Sequence, residues 1–124
     1  MEEYQGTQTE WLTSKGLRPD EVIKVHELLA TLEERHTTGF RRVDSKNLYY
    51  RDEEESVFIS EDYANSDVDR CAWKVTRKLD IASLIYEESA NGSAVILYKE
   101  KPKTAEQEAL RDSWPYSVHI VRRR

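Results

Sequence analysis

Apolar residues first fall into register between Pro19 and His36. Val22, Val25, Leu28, Leu29, Leu32 and His36 lie on one stripe at 3.6-residue spacing, which predicts an amphipathic helix. Pro19 at its first position, followed by Asp20 and Glu21, is a helix start, although Arg18 is a poor cap. Gly39 ends the pattern. Ahead of it, Thr7-Gln8-Thr9-Glu10 has the form of a capping box and predicts a short helix through Trp11 and Leu12, stopped at Gly16.

After Gly39 the period changes to two. Phe40–Val43, Leu48–Arg51 and Val57–Ser60 are predicted strands, separated by turn-forming stretches at Asp44–Asn47 and Asp52–Glu55. Glu61–Asp69 is a polar loop. Asn91-Gly92, between two apolar runs, predicts a hairpin, with its register open because apolar residues occur on both faces. Pro102 breaks the second run. Thr104-Ala105-Glu106-Gln107 is another capping box and opens a helix to about Trp114, which Pro115 ends. Tyr116–Val121 is a final strand, followed by Arg122, Arg123 and Arg124.

Residues 70–78, RCAWKVTRK, carry two patterns at once. Cys71, Trp73 and Val75 alternate with Ala72, Lys74 and Thr76, as in a half-buried strand whose inner face also takes in Leu79. Arg70, Lys74 and Lys78 repeat every four residues, which also fits one side of a helix. The basic row persists under either assignment. The strand assignment sends Trp73 and Cys71 into the core, and the thiol is then a buried, inert one.

The elements sum to an α+β domain spanning residues 1–124. N-terminal helices pack on one face of an antiparallel meander, with one late helix and a C-terminal strand. Residues 1–6 and 122–124 are expected to be flexible tails. In element order, a long helix before a meander resembles the outline of cystatin-like and nuclear-transport-factor-2-like folds.

Composition narrows the function classes. The chain has 124 residues, 35% charged and 38% hydrophobic, with one cysteine and no apolar run near membrane-span length. Met1-Glu2-Glu3-Tyr4 is unlike a leader, and a lone cysteine forms no internal disulfide, so the expected setting is cytoplasmic and reducing. The net charge of −5 is uneven. Residues 1–36, 37–69 and 70–124 hold four, four and eleven basic side chains against eight, nine and seven acidic ones, so their balances are −4, −5 and +4.

Candidate chemistry is sparse. His26 and His36 lie about 15 Å apart along one helix, too far to share a metal ion, and neither His-x-x-x-His nor Cys-x-x-Cys occurs. The carboxylate-rich stretches lack the glycine and alternating ligands of a calcium loop. Glycine-rich phosphate loops and a Gly-x-Ser-x-Gly elbow are absent as well. The expectation is therefore a small non-enzymatic interaction or regulatory protein, without metal or cofactor. Its acidic patch of Asp52, Glu53, Glu54, Glu55, Glu61 and Asp62 would meet a protein partner with a basic surface. One alternative is a nucleic-acid binder using Arg70, Lys74, Lys78, Arg122, Arg123 and Arg124. Another is a small enzyme or ligand binder with a pocket on the sheet.

Overall fold

The computed structural model describes residues 8–37, 57–62, 67–109 and 116–123. The elements run α1 (Gln8–Ser14), α2 (Pro19–Thr37), β1 (Val57–Asp62), α3 (Val68–Lys78), β2 (Ile81–Glu88), β3 (Ala94–Glu100), α4 (Ala105–Ala109) and β4 (Ser117–Arg123). The four strands form one sheet in the order β1-β4-β3-β2. β2, β3 and β4 are a meander of antiparallel neighbours, and β1 adds parallel to β4 at the edge. This is the α+β class that the sequence predicts. The predicted strands Phe40–Val43 and Leu48–Arg51 lie outside the described residues, as do Thr7 and Gly39.

α1 ends in a Schellman motif. The Gly16 N–H donates to the Thr13 carbonyl at 3.0 Å and the Leu17 N–H to the Leu12 carbonyl at 3.3 Å, with Gly16 at φ +102°. Leu12 and Leu17 are both buried, the apolar contact that accompanies this cap. α2 then lays Val22, Val25, Leu28 and Leu29 on the sheet, against Ile85, Val95, Leu97, Val118 and Ile120. The side chains of Leu32 and His36 lie outside the described part of α2.

The weak cap at Arg18 is completed from inside the helix. Glu21 accepts a hydrogen bond from the Arg18 backbone N–H at 2.8 Å, the half of a capping box supplied by the third helical residue. Its carboxylate is wholly buried. It also accepts from the Ser93 hydroxyl at 2.7 Å and from Arg122 through Nε at 3.1 Å and a terminal nitrogen at 2.9 Å. Arg122 further donates to the Gly16 carbonyl at 2.7 Å. One polar clamp thus joins the α1 end, the α2 start, the hairpin and β4. Burial alone would raise the Glu21 pKa. The hydrogen bonds from Arg122, Arg18 and Ser93 and the Arg122 charge outweigh it and hold the carboxyl at about 2. Arg122 and Arg123 are therefore strand residues, not a tail.

The hairpin forms where Asn91-Gly92 predicts it. Gly92 has φ +93° and donates to the Ser89 carbonyl at 3.0 Å, and the Ser89 N–H closes the loop onto Ser93 at 2.8 Å. The pairing Leu84↔Tyr98, Ile85↔Leu97, Tyr86↔Ile96 sets the register that the sequence leaves open. β3 is apolar on both faces because both are covered. Val95 and Leu97 meet α2, while Ala94, Ile96 and Tyr98 meet α3 on the opposite side.

Residues 70–78 correct the strand assignment: they are helical, within α3. Asp67 caps the N-terminus, accepting from the Arg70 N–H at 2.8 Å, and Arg77 and Lys78 occupy the last turn, where cations complement the helix dipole. Val68, Cys71, Ala72, Val75 and Leu79 form its apolar stripe. The outline of a helix followed by an uninterrupted meander is broken by this second helical layer, placed between β1 and β2 in sequence.

Candidate functional site

α3 divides its residues sharply. At about 100° per residue, Trp73, Arg77, Arg70, Lys74 and Lys78 fall in that order over about 140° of the helix circumference. All five are exposed. Trp73 is 57% exposed, which corrects its expected place in the core. The Arg77 guanidinium lies over its ring at 4.7 Å from the centroid, a cation–π arrangement that holds the indole against the helix. Beside Trp73, at the edge of this face, Asp69 accepts from the Tyr86 hydroxyl at 2.9 Å and ties the helix to β2.

The inner side of α3 borders a cavity of about 480 Å³. Its origin is positional. α3 packs over β2 and β3, and no described helix covers β4 and β1 on this face. Val75 and Leu79 from α3 and Phe58, Tyr98 and Val121 from the sheet give it an apolar lining, and the buried Cys71 thiol is part of the wall. Lys74, Lys78, Glu61 and Glu100 also line it. On its floor the His119 Nε2 and the Ser60 hydroxyl are 2.9 Å apart, and Phe58 lies against the imidazole with centroids 6.1 Å apart. Burial, and then the Lys78 charge, lower the His119 pKa, so the ring is neutral at pH 7. No carboxylate hydrogen-bonds the other His119 nitrogen among the described residues, so the Ser60–His119 pair lacks the orienting third group of a nucleophilic triad.

The other candidates fall elsewhere. Arg70, Lys74 and Lys78 share α3, as a four-residue repeat requires. Arg122 does not join them, because it is committed to Glu21 on the other face of the sheet. Arg123 lies 3.6 Å from Glu88, and Arg124 is outside the described residues. Glu61 is exposed at the end of β1, in register with Arg122, and Asp62 pairs in register with Arg123. Asp52, Glu53, Glu54 and Glu55 lie outside the described residues. His26 sits 3.0 Å from the Thr9 hydroxyl between α1 and α2, remote from His119. Among the described residues no cluster of three or more His, Cys, Asp or Glu could hold a metal ion, and no helix is long and apolar enough to cross a membrane.

Sequence alternation hid two features of this site. The Trp73–Arg77 pair appears only at helical spacing, which the Asp67 cap and the 68/71/72/75/79 apolar stripe would have indicated. The cavity joins β1, α3, β3 and β4, whose residues are distant in sequence, and no local signal announces it. No family model matches the chain, and no curated protein or solved structure matches it.

Proposed function

We propose that the protein is a non-enzymatic interaction module that engages an acidic surface of a protein partner through the outer face of α3. The observation that carries this reading is Trp73, more than half exposed beneath Arg77 and continuous with Arg70, Lys74 and Lys78. Tryptophan and arginine are the side chains most enriched among residues that dominate binding energy at protein interfaces. An indole already ordered by its neighbour loses little further freedom on docking. The four cations supply steering toward a partner of opposite sign. Its proposed setting is cytoplasmic and reducing, supported by a single, buried thiol.

A second reading rests on the same tryptophan. An exposed ring flanked by cations is also a stacking platform for single-stranded nucleic acid. Against it, α3 exposes a single aromatic ring, where such platforms stack successive bases on several.

Capture of partners from source cells by wild type, Trp73→Ala and Arg70→Glu/Arg77→Glu, with and without nuclease, separates the two. The interaction reading expects a protein retained after nuclease and bound about 30-fold or more weakly by Trp73→Ala, as for an interface anchor worth at least about 2 kcal/mol. Loss of capture on nuclease treatment moves the assignment to nucleic acid. Capture unchanged in both variants removes α3 from the interface.

A further inference from the structure

The inner side of α3 carries a second site, which meets the outer face at Lys74 and Lys78. We propose that the cavity between α3 and the β1–β4–β3 strands binds a small amphipathic anion, with its acidic group at Lys78 and its hydrocarbon body on Val75, Leu79, Tyr98 and Val121. The volume of about 480 Å³ lies within the range of small-molecule sites, and a mostly apolar lining with few polar groups is their usual chemistry.

The charges at the mouth set the sign of the ligand. One carboxylate, Glu100, lies on the cavity's face of the sheet, with Lys74 and Lys78 on the α3 side. Glu100 has Lys103 at 3.8 Å. Glu61 also borders the cavity, but its register with Arg122 turns its side chain to the α2 face, where its charge acts on that guanidinium. Lys78 forms no ion pair among the described residues, and its charge reaches the cavity floor, where it disfavours protonation of His119. An anion seated beside Lys78 would neutralise this influence. The Ser60–His119 pair, with a neutral imidazole, offers one further hydrogen bond whose direction depends on the tautomer. The apolar walls exclude a strongly hydrated ion such as free phosphate, because nothing there would replace its water on the far side.

Two probes of nearly the same shape test the assignment. 8-Anilinonaphthalene-1-sulfonate carries the anion, and N-phenyl-1-naphthylamine lacks it. Fluorescence titration of the full chain is expected to show one saturable sulfonate site per molecule, at least about tenfold tighter than the neutral probe, as a charge-assisted contact provides. Lys78→Gln should remove that preference while leaving the neutral probe unchanged, and Val75→Phe should weaken both. The His119 ring proton should shift on titration, and its pKa should rise in the complex. Arg70→Ala and Arg77→Ala, on the outer face, should change neither affinity. Absence of a saturable site, equal affinity for the two probes, or an unmoved His119 signal overturns the proposal. Because Lys78 is exposed, Lys78→Gln leaves the fold intact, and the test does not depend on the more disruptive Val75→Phe.

Discussion

Glu21→Gln removes one charge and keeps the side-chain shape, and its consequence can be worked from the clamp. The native carboxylate is fully buried and bonded to Arg122, Ser93 and the Arg18 N–H. Its pKa falls from 4.5 to about 2, so the unfolded chain takes up this proton first as the pH drops. The linked stability is therefore fully present above about pH 5 and is lost as the pH falls toward 2. A displacement of about 2.5 pH units corresponds to about 3 kcal/mol. At pH 7 the variant should be less stable than wild type by a similar amount, because Arg122 is left partly buried without its counter-ion. Urea denaturation followed by circular dichroism from pH 7 to pH 2.5 reads both effects. The two stability curves should converge as the pH falls, because protonation cancels in wild type what the substitution has already removed. A constant gap across the whole range would show that the clamp does not act through the Glu21 charge.

Three further outcomes test the packing. Trp73→Ala should change stability by less than about 0.5 kcal/mol in chemical denaturation, since it is an exposed residue; a core tryptophan would cost about 3–5 kcal/mol. Leu28→Ala, at a site 1% exposed between α2 and the sheet, should lower the unfolding free energy by about 2–5 kcal/mol, and a value under about 1 would displace it from the core. Gly16→Ala should lower the melting temperature, because φ +102° strains any other residue and the new Cβ would lie 3.3 Å from Ile59 Cδ1. An unchanged melting temperature would mean that the α1 cap relaxes freely.

Legibility in the sequence followed the range of the interactions. The α2 stripe from Val22 to Leu29, the Gly16 stop and the Asn91-Gly92 hairpin are set by neighbours a few residues apart, and each stands where the pattern puts it. The α3 segment misled because Cys71, Trp73 and Val75 alternate, and the eye pairs three apolar residues into a strand face. The physical arbiter was Ala72, a small residue that belongs to the apolar stripe together with Val68, Cys71, Val75 and Leu79. With Ala72 inside, Trp73 must turn outward. The Glu21–Arg122–Ser93 clamp was invisible for a different reason. Its partners lie 72 and 101 residues from Glu21, and the same arginine read locally as one of three tail cations. The parallel pairing of β1 with β4 has the same character, since it depends on long-range register such as Val57↔Val118.

Site-specific photocrosslinking tests the central claim, that the outer face of α3 is where this protein meets its partner. A photoreactive tryptophan analogue, which keeps the indole, replaces Trp73 in one protein and Ile23 of α2 in another. The two positions are matched in exposure, at 57% and 58%, so accessibility alone cannot distinguish them. Irradiation in source cells should give a discrete protein adduct from position 73 and none of that mass from position 23. Arg70→Glu/Arg77→Glu in the same chain should abolish it, since reversed charges repel an acidic surface. Adducts of equal yield at both positions, or an adduct indifferent to the charge reversal, would contradict the account.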